Sequence, residues 1–303
     1  MNTKPVFELH PGLDHLDSLE KNTLNNYSQG IDELVNYGTH VLSWGLDATD
    51  GGDEIIPQLM IFRNILENLD AISVLVRAGS IDPCKSLLRV VLESVLNLEF
   101  MFQGEIERNG LAFLICNYHS ENKLTEKLTP GKEQFKQLRR KLRADRSLPD
   151  DMLPPTIAGL PAHRENLKNL IAHPLYEKVE AEYQRTIASG IRNPAWYQLF
   201  GGPPTIEQLA EKLSHQGFYE VLYRGWSGSI HGEDILKGKF GMEDGHFTIS
   251  QIRLLTDTKT VTQFACSLGL IAYRAYISHR MPHREIDVAE WYLAFSPFYQ
   301  SLL

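Results

Sequence analysis

The chain has 303 residues, 43% of them hydrophobic and 22% charged, an ordinary balance for a soluble globular protein of one large domain or two. Its 30 basic and 38 acidic residues leave a formal charge of −8, so contact with nucleic acid would need a local basic patch rather than overall steering. Cys84, Cys116 and Cys266 are widely spaced without a CxxC, no apolar run approaches the ~20 residues of a membrane span, and the charged N-terminus lacks an apolar signal core; neither a disulfide framework nor a zinc site is indicated, and a soluble protein in a reducing cytoplasmic setting is expected.

Apolar residues at three- and four-residue spacing predict a first amphipathic helix over Leu13–Leu46, ended by Gly45 and the loop after it. A second helix is expected over Glu54–Ala78, capped by Asp53 and stopped at Gly79. Asp82-Pro83 reads as an N-cap followed by proline at the first helical position. The third helix, Pro83–Gln103, is apolar nearly all round and should be central. A fourth follows over Ile106–Leu128, broken by Thr129-Pro130-Gly131, and helix resumes over Lys132–Arg146.

The Pro-rich segment 147–161 reads as a loop. One helix is expected from about His163 to Ser189, then a second irregular segment at 192–204. Thr205 and Gln208 form a capping-box signature that opens a short helix to Leu213. Phe240 and Phe247 flank a turn containing Gly245, the one hairpin candidate. A long apolar helix over Arg253–His279, stopped by Pro282, and a short aromatic C-terminal helix complete the chain. The predicted fold is all-α: a bundle of four or more long helices with short satellite helices and at most one small hairpin. It is expected as a single domain over 1–303, with its helical core at about 13–146 and 205–281.

Two groups of residues carry candidate chemistry. In Tyr219–Asp234, Arg224 and His231 stand seven positions apart. In an α-helix they would face the same way, about 10 Å apart along the axis. Arg is a permanent forked cation suited to phosphate, and His exchanges a proton near neutral pH. Glu233 and Asp234 follow His231 and are placed to orient its imidazole. Gly225, Gly228 and Gly232 punctuate the stretch and suit a close backbone approach. On the third helix, Arg89 and Glu93 share a face. They read either as a structural ion pair or as supporting members of one polar pocket with Arg224 and His231. The second group is a basic run, Lys136, Arg139, Arg140, Lys141 and Arg143, the local positive patch that phosphate-backbone binding requires. Its plain alternative is a solvated helix face.

Other chemistry finds no support. The only Glu-x-x-His, Glu243 to His246, lies in a Gly-rich loop, so no metal site is expected. Cys116 and His119 are three apart, but Cys116 lacks an activating neighbour. No nucleophile elbow, Walker loop or dinucleotide fingerprint is present, and no cofactor is expected.

Three motifs resemble a bacterial family of uncharacterised proteins: LLRVVLE at Leu87–Glu93, NPAWY at Asn193–Tyr197, and SGSIHG at Ser227–Gly232. The resemblance covers roughly residues 50 to 280. The spacing of Arg224 and His231, enclosing six residues, is more distantly similar to the mark of the HEPN superfamily of all-α ribonucleases. Gly225 departs from the polar residue that often follows the Arg there. That similarity implies a metal-independent endoribonuclease acting as a homodimer on RNA, in stress or phage defence. His231 would be the general acid or base, and Arg224 would stabilise the phosphate. The alternative is a non-catalytic helical interaction module in which the Arg/Glu/His cluster is structural.

Overall fold

The structure, a computed structural model, describes residues 3–10, 12–48, 52–149, 157–226 and 239–303. The fold is all-α apart from one two-stranded hairpin. The chain divides into two compact units: Met1–Gly104 with Thr205–Leu303, and Glu105–Pro204.

The first unit is built on α1 (Ser18–Asp47), α2 (Ile56–Arg77), α3 (Asp82–Met101) and a later helix, α9 (Thr258–Arg280). The start of α1 is set by a reciprocal cap: Asp17 accepts from the Glu20 N–H at 2.8 Å, and Glu20 accepts from the Asp17 N–H at 3.1 Å. Leu24, Ile31, Leu34 and Val41 then form one buried stripe. Each such side chain contributes about 1.5–3 kcal/mol through burial. The helix continues through Gly45, which does not end it; a Cβ there would meet the Tyr276 hydroxyl. Glycine at this point serves close approach, as at Gly269, where a Cβ would run into Leu34.

Helix α3 is central, packing against α2, α9, the short helix α8 (Ile206–Lys212) and the segment that follows it. Its start differs from the expected cap. Ile81 occupies the N-cap position, and Asp82 is already helical. The Asp82 carboxylate instead binds Lys85 at 3.0 Å and also Lys239. Lys85, nearly buried, reaches Asp257 at 2.6 Å. Charge partners outcompete the local backbone donors for this carboxylate. Asp53 likewise opens a single 3-10 turn, Asp53–Ile55, ahead of α2. Thr205 caps α8 as expected, accepting from the Gln208 N–H.

The hairpin pairs β1 (Phe240–Glu243) with β2 (His246–Ile249). Asp244 and Gly245 both have positive φ, 49° and 80°, as a two-residue type I′ turn requires. Helix α10 (Glu285–Leu302) closes the unit.

The second unit contains α4 (Ile106–Lys127), α5 (Glu133–Ala144), α6 (Leu160–Ile171) and α7 (Glu177–Ala188). The single helix expected over residues 163–189 is two. His173 is extended, with ψ 137°, and Pro174 opens a 3-10 turn before α7. Proline removes a backbone donor and drives the preceding residue out of the helical region. The segment 192–204 is irregular but pinned. Lys123 donates to Tyr183, the Arg192 carbonyl and Asn193 at 2.9–3.2 Å. Phe200, at φ 57°, donates its N–H to Glu182 at 2.7 Å.

Candidate functional site

The residues around Arg224 do not form an α-helix. After the helical turn Gln216–Phe218, Tyr219–Gly225 winds as a π-helix and ends at Trp226. π-helical turns are rare and are frequent at functional sites. Residues 227–231, over which a shared face for Arg224 and His231 was argued, lie outside the described residues, as do Glu233 and Asp234.

The π-helix stacks Tyr219 on Tyr223, with ring centres 4.9 Å apart. Each ring meets a guanidinium. Arg89, projecting from α3, lies 3.4 Å from the centre of Tyr223. Arg224 lies 5.6 Å from the centre of Tyr219. Arg89 and Arg224 are therefore joined through two stacked rings, with no direct contact needed between like charges. Arg89 also approaches Glu93 loosely, at 3.5 Å. So the local pair on α3 does form, although its order is the weaker one for a helix.

Arg224 is already partnered. It binds Glu207 of α8 at 2.6 Å and Glu220, one turn before it, at 3.1 Å. The charge of Glu207, then that of Glu220, pushes the guanidinium pKa up further. Burial, followed by the Glu207 charge, raises the Tyr219 hydroxyl. All three charged side chains remain about half exposed, so the pairs can exchange with a competing anion. Trp226 anchors the end of the π-helix against Phe264, ring centres 5.7 Å apart, and stands 5.5 Å from the Lys85 ammonium.

Sequence reasoning missed Tyr219, Tyr223, Glu207 and Glu220 as neighbours of the arginines. Glu220 was within reach, since Glu four residues before Arg is the favourable helical order. Glu207 and Tyr223 were not, because their partners are set by packing.

The basic run lies on α5, in the second unit. Phe135 is its one buried residue. Lys136, Arg139, Arg140 and Arg143 line a concave surface of about 520 Å³ beside Phe135 and the Pro130-Gly131 turn. Lys141 is exposed on the same helix. No described acid forms an ion pair with any of these five residues, and the buried Nε of Arg139 has no hydrogen-bond partner. Residues at 136, 140 and 143 recur at four and three positions, so their cations form one stripe of a helix.

Burial makes the three cysteines poor nucleophiles. Burial pushes the thiols of Cys84, Cys116 and Cys266 up to about 12, which leaves almost no thiolate at neutral pH. His119 pairs with Glu180 at 2.6 Å and stacks on Tyr183, a packed arrangement between α4 and α7. Among the described residues no three His, Cys, Asp or Glu side chains are placed to hold a metal ion. No described helix is long and apolar enough to cross a membrane.

The NPAWY segment is structural in its local contacts: Lys123 holds Asn193, and Trp196 is buried with its ring 6.1 Å from that of Phe113. No curated protein and no solved structure matches the chain. A family model matches residues 57–247, from α2 through the π-helix to the hairpin, and the chain belongs to that family of unknown function, DUF5677.

Proposed function

We propose that this protein binds RNA through the cationic stripe of α5 and cleaves it without a metal, in the manner of the HEPN-type ribonucleases, using Arg224 and His231. The observation that carries the binding is the set of unpaired cations Lys136, Arg139, Arg140, Lys141 and Arg143 in a chain of net charge −8. Cations left without acid partners are what a phosphate backbone neutralises. Support for the chemistry comes from Arg224, an exposed guanidinium on a π-helix whose acid partners are exchangeable.

In the reaction, the RNA 2′-hydroxyl gives its proton to a base and its oxygen attacks the adjacent phosphorus. The 5′-oxygen leaves with a proton, giving a cyclic phosphate and a free 5′-hydroxyl. His231 is the acid or base, and Arg224 holds the charge that builds on the phosphorane. Arg89 and Glu93 support the tyrosine stack behind Arg224. A homodimer would supply this pair twice.

The test is cleavage of a labelled RNA in EDTA. Wild type should yield cyclic-phosphate ends, and Arg224→Ala and His231→Ala should not. Activity retained in both variants overturns the catalytic assignment. A second reading is favoured by the two glutamates on Arg224: the cluster is structural and the protein a non-catalytic RNA-binding module. It predicts that RNA binding persists with no cleavage in wild type.

A further inference from the structure

A second polar site lies in the unit Met1–Gly104 with Thr205–Leu303. A pocket of about 480 Å³ opens between the end of α3, the turn after α8 and the last turns of α9. That volume is in the range of small-ligand sites. Its charge runs against that of the chain. Lys212 and Arg274 line it, both are exposed, and neither forms an ion pair with a described acid. The one carboxylate in the lining, Glu99, is taken by His215 Nε2 at 2.5 Å.

The lining is also held in place. The Lys212 ammonium sits 5.0 Å from the centre of the Phe100 ring. His279 stacks on Phe102, ring centres 4.8 Å apart and 8° from parallel. Its Nδ1 lies 2.9 Å from the Ala275 carbonyl. A carbonyl only accepts, so Nδ1 carries the proton and Nε2 is left as the second polar atom. Ser214, also in the lining, has φ 62°. This is the left-handed position of a Schellman cap that ends α8, with the Ser214 N–H on the Glu211 carbonyl at 3.0 Å and the His215 N–H on the Ala210 carbonyl at 2.8 Å.

We infer that this pocket binds a small phosphomonoester. The guanidinium fork of Arg274, the ammonium of Lys212 and the hydroxyls of Ser214 and Ser278 offer more donors than the two oxygens of a carboxylate use. A phosphoryl group presents three oxygens and up to two charges. The volume leaves room for an organic group attached to it. The assignment is independent of the RNA reading, since neither Arg224 nor any residue of α5 lines this pocket.

Calorimetry of the full chain with inorganic phosphate, ribose 5-phosphate and acetate tests it. Ribose 5-phosphate should bind at millimolar concentration or below, more tightly than inorganic phosphate, with acetate weaker than both. Arg274→Ala and Lys212→Ala should each weaken it about tenfold or more, the loss expected for a hydrogen bond to a charged group. Unchanged thermal unfolding of these surface variants shows that the fold is intact. Three results would overturn the proposal: no phosphate binding, acetate binding as tight as ribose 5-phosphate, or binding that survives both variants but is lost when α5 is neutralised.

Discussion

The guanidinium carbon of Arg89 lies 3.4 Å from the centre of the Tyr223 ring, so the central helix and the π-helix meet through a cation lying on an aromatic face. The Arg89 side chain is only 19% exposed, and partial desolvation strengthens such a contact.

Replacing Arg89 with Ala should therefore cost about 1–2 kcal/mol in chemical denaturation. Arg89→Lys should recover only part of this, because an ammonium lacks the planar stack. With Tyr223→Leu, the double variant should lose less than the sum of the two single changes. Strict additivity would show that the contact contributes nothing.

The two acids on Arg224 should compete with an RNA phosphate for it. Glu207→Gln combined with Glu220→Gln is expected to raise RNA affinity several-fold at low salt, by removing charges next to the guanidinium. Stability should scarcely move, since exposed ion pairs contribute little. Fluorescence anisotropy with labelled RNA reads the first effect and thermal melting the second. Unchanged affinity would place Arg224 away from bound RNA.

On α5, the expected signature is salt dependence. Neutralising Lys136, Arg140 or Arg143 singly to Gln should lower the slope of log affinity against log salt by about 0.7 for a single-stranded RNA. The losses should be alike for different sequences, because phosphate contacts carry no base information. A sequence-dependent loss, or an unaltered slope, argues for a solvated helix face.

Asp82 carries a pH-dependent contribution to stability. Burial opposes its ionisation, but hydrogen bonds from Lys239 and Lys85 outweigh it and hold the carboxyl below its ordinary value. For Lys85, burial again opposes the charge, and the bonds to Asp257 and Asp82 raise its pKa. The Asp82 contribution is then full above the ordinary carboxylate range and fades as pH falls through its depressed pKa. Asp82→Asn should destabilise by about 1–3 kcal/mol near neutral pH. The difference from wild type should shrink in acid. A difference that stays constant down to low pH would mean that the side-chain charge is not involved.

Much of the fold was readable because it depends on neighbours in the chain. The 3.6-residue spacing of Leu24, Ile31, Leu34 and Val41 marks α1. Thr205 and Gln208 mark the start of α8, and Asp244-Gly245 marks the hairpin turn. Pro174 was the local failure. A proline that opens a second helix lies inside the same periodic pattern as one continuous helix.

By itself the sequence determined the helical class, the positions of most of the long helices and the cationic stripe of α5, all of which follow from residues within one or two turns of each other. Only the tertiary structure decided that Tyr219–Gly225 is wound as a π-helix, that Arg224 is taken by Glu207, and that Arg89 lies on Tyr223. Seven residues are too few for periodicity to separate a 3.6-residue turn from a wider one. Partners far apart in the chain are chosen by how α3, α8 and the π-helix pack, and no local spacing records that choice.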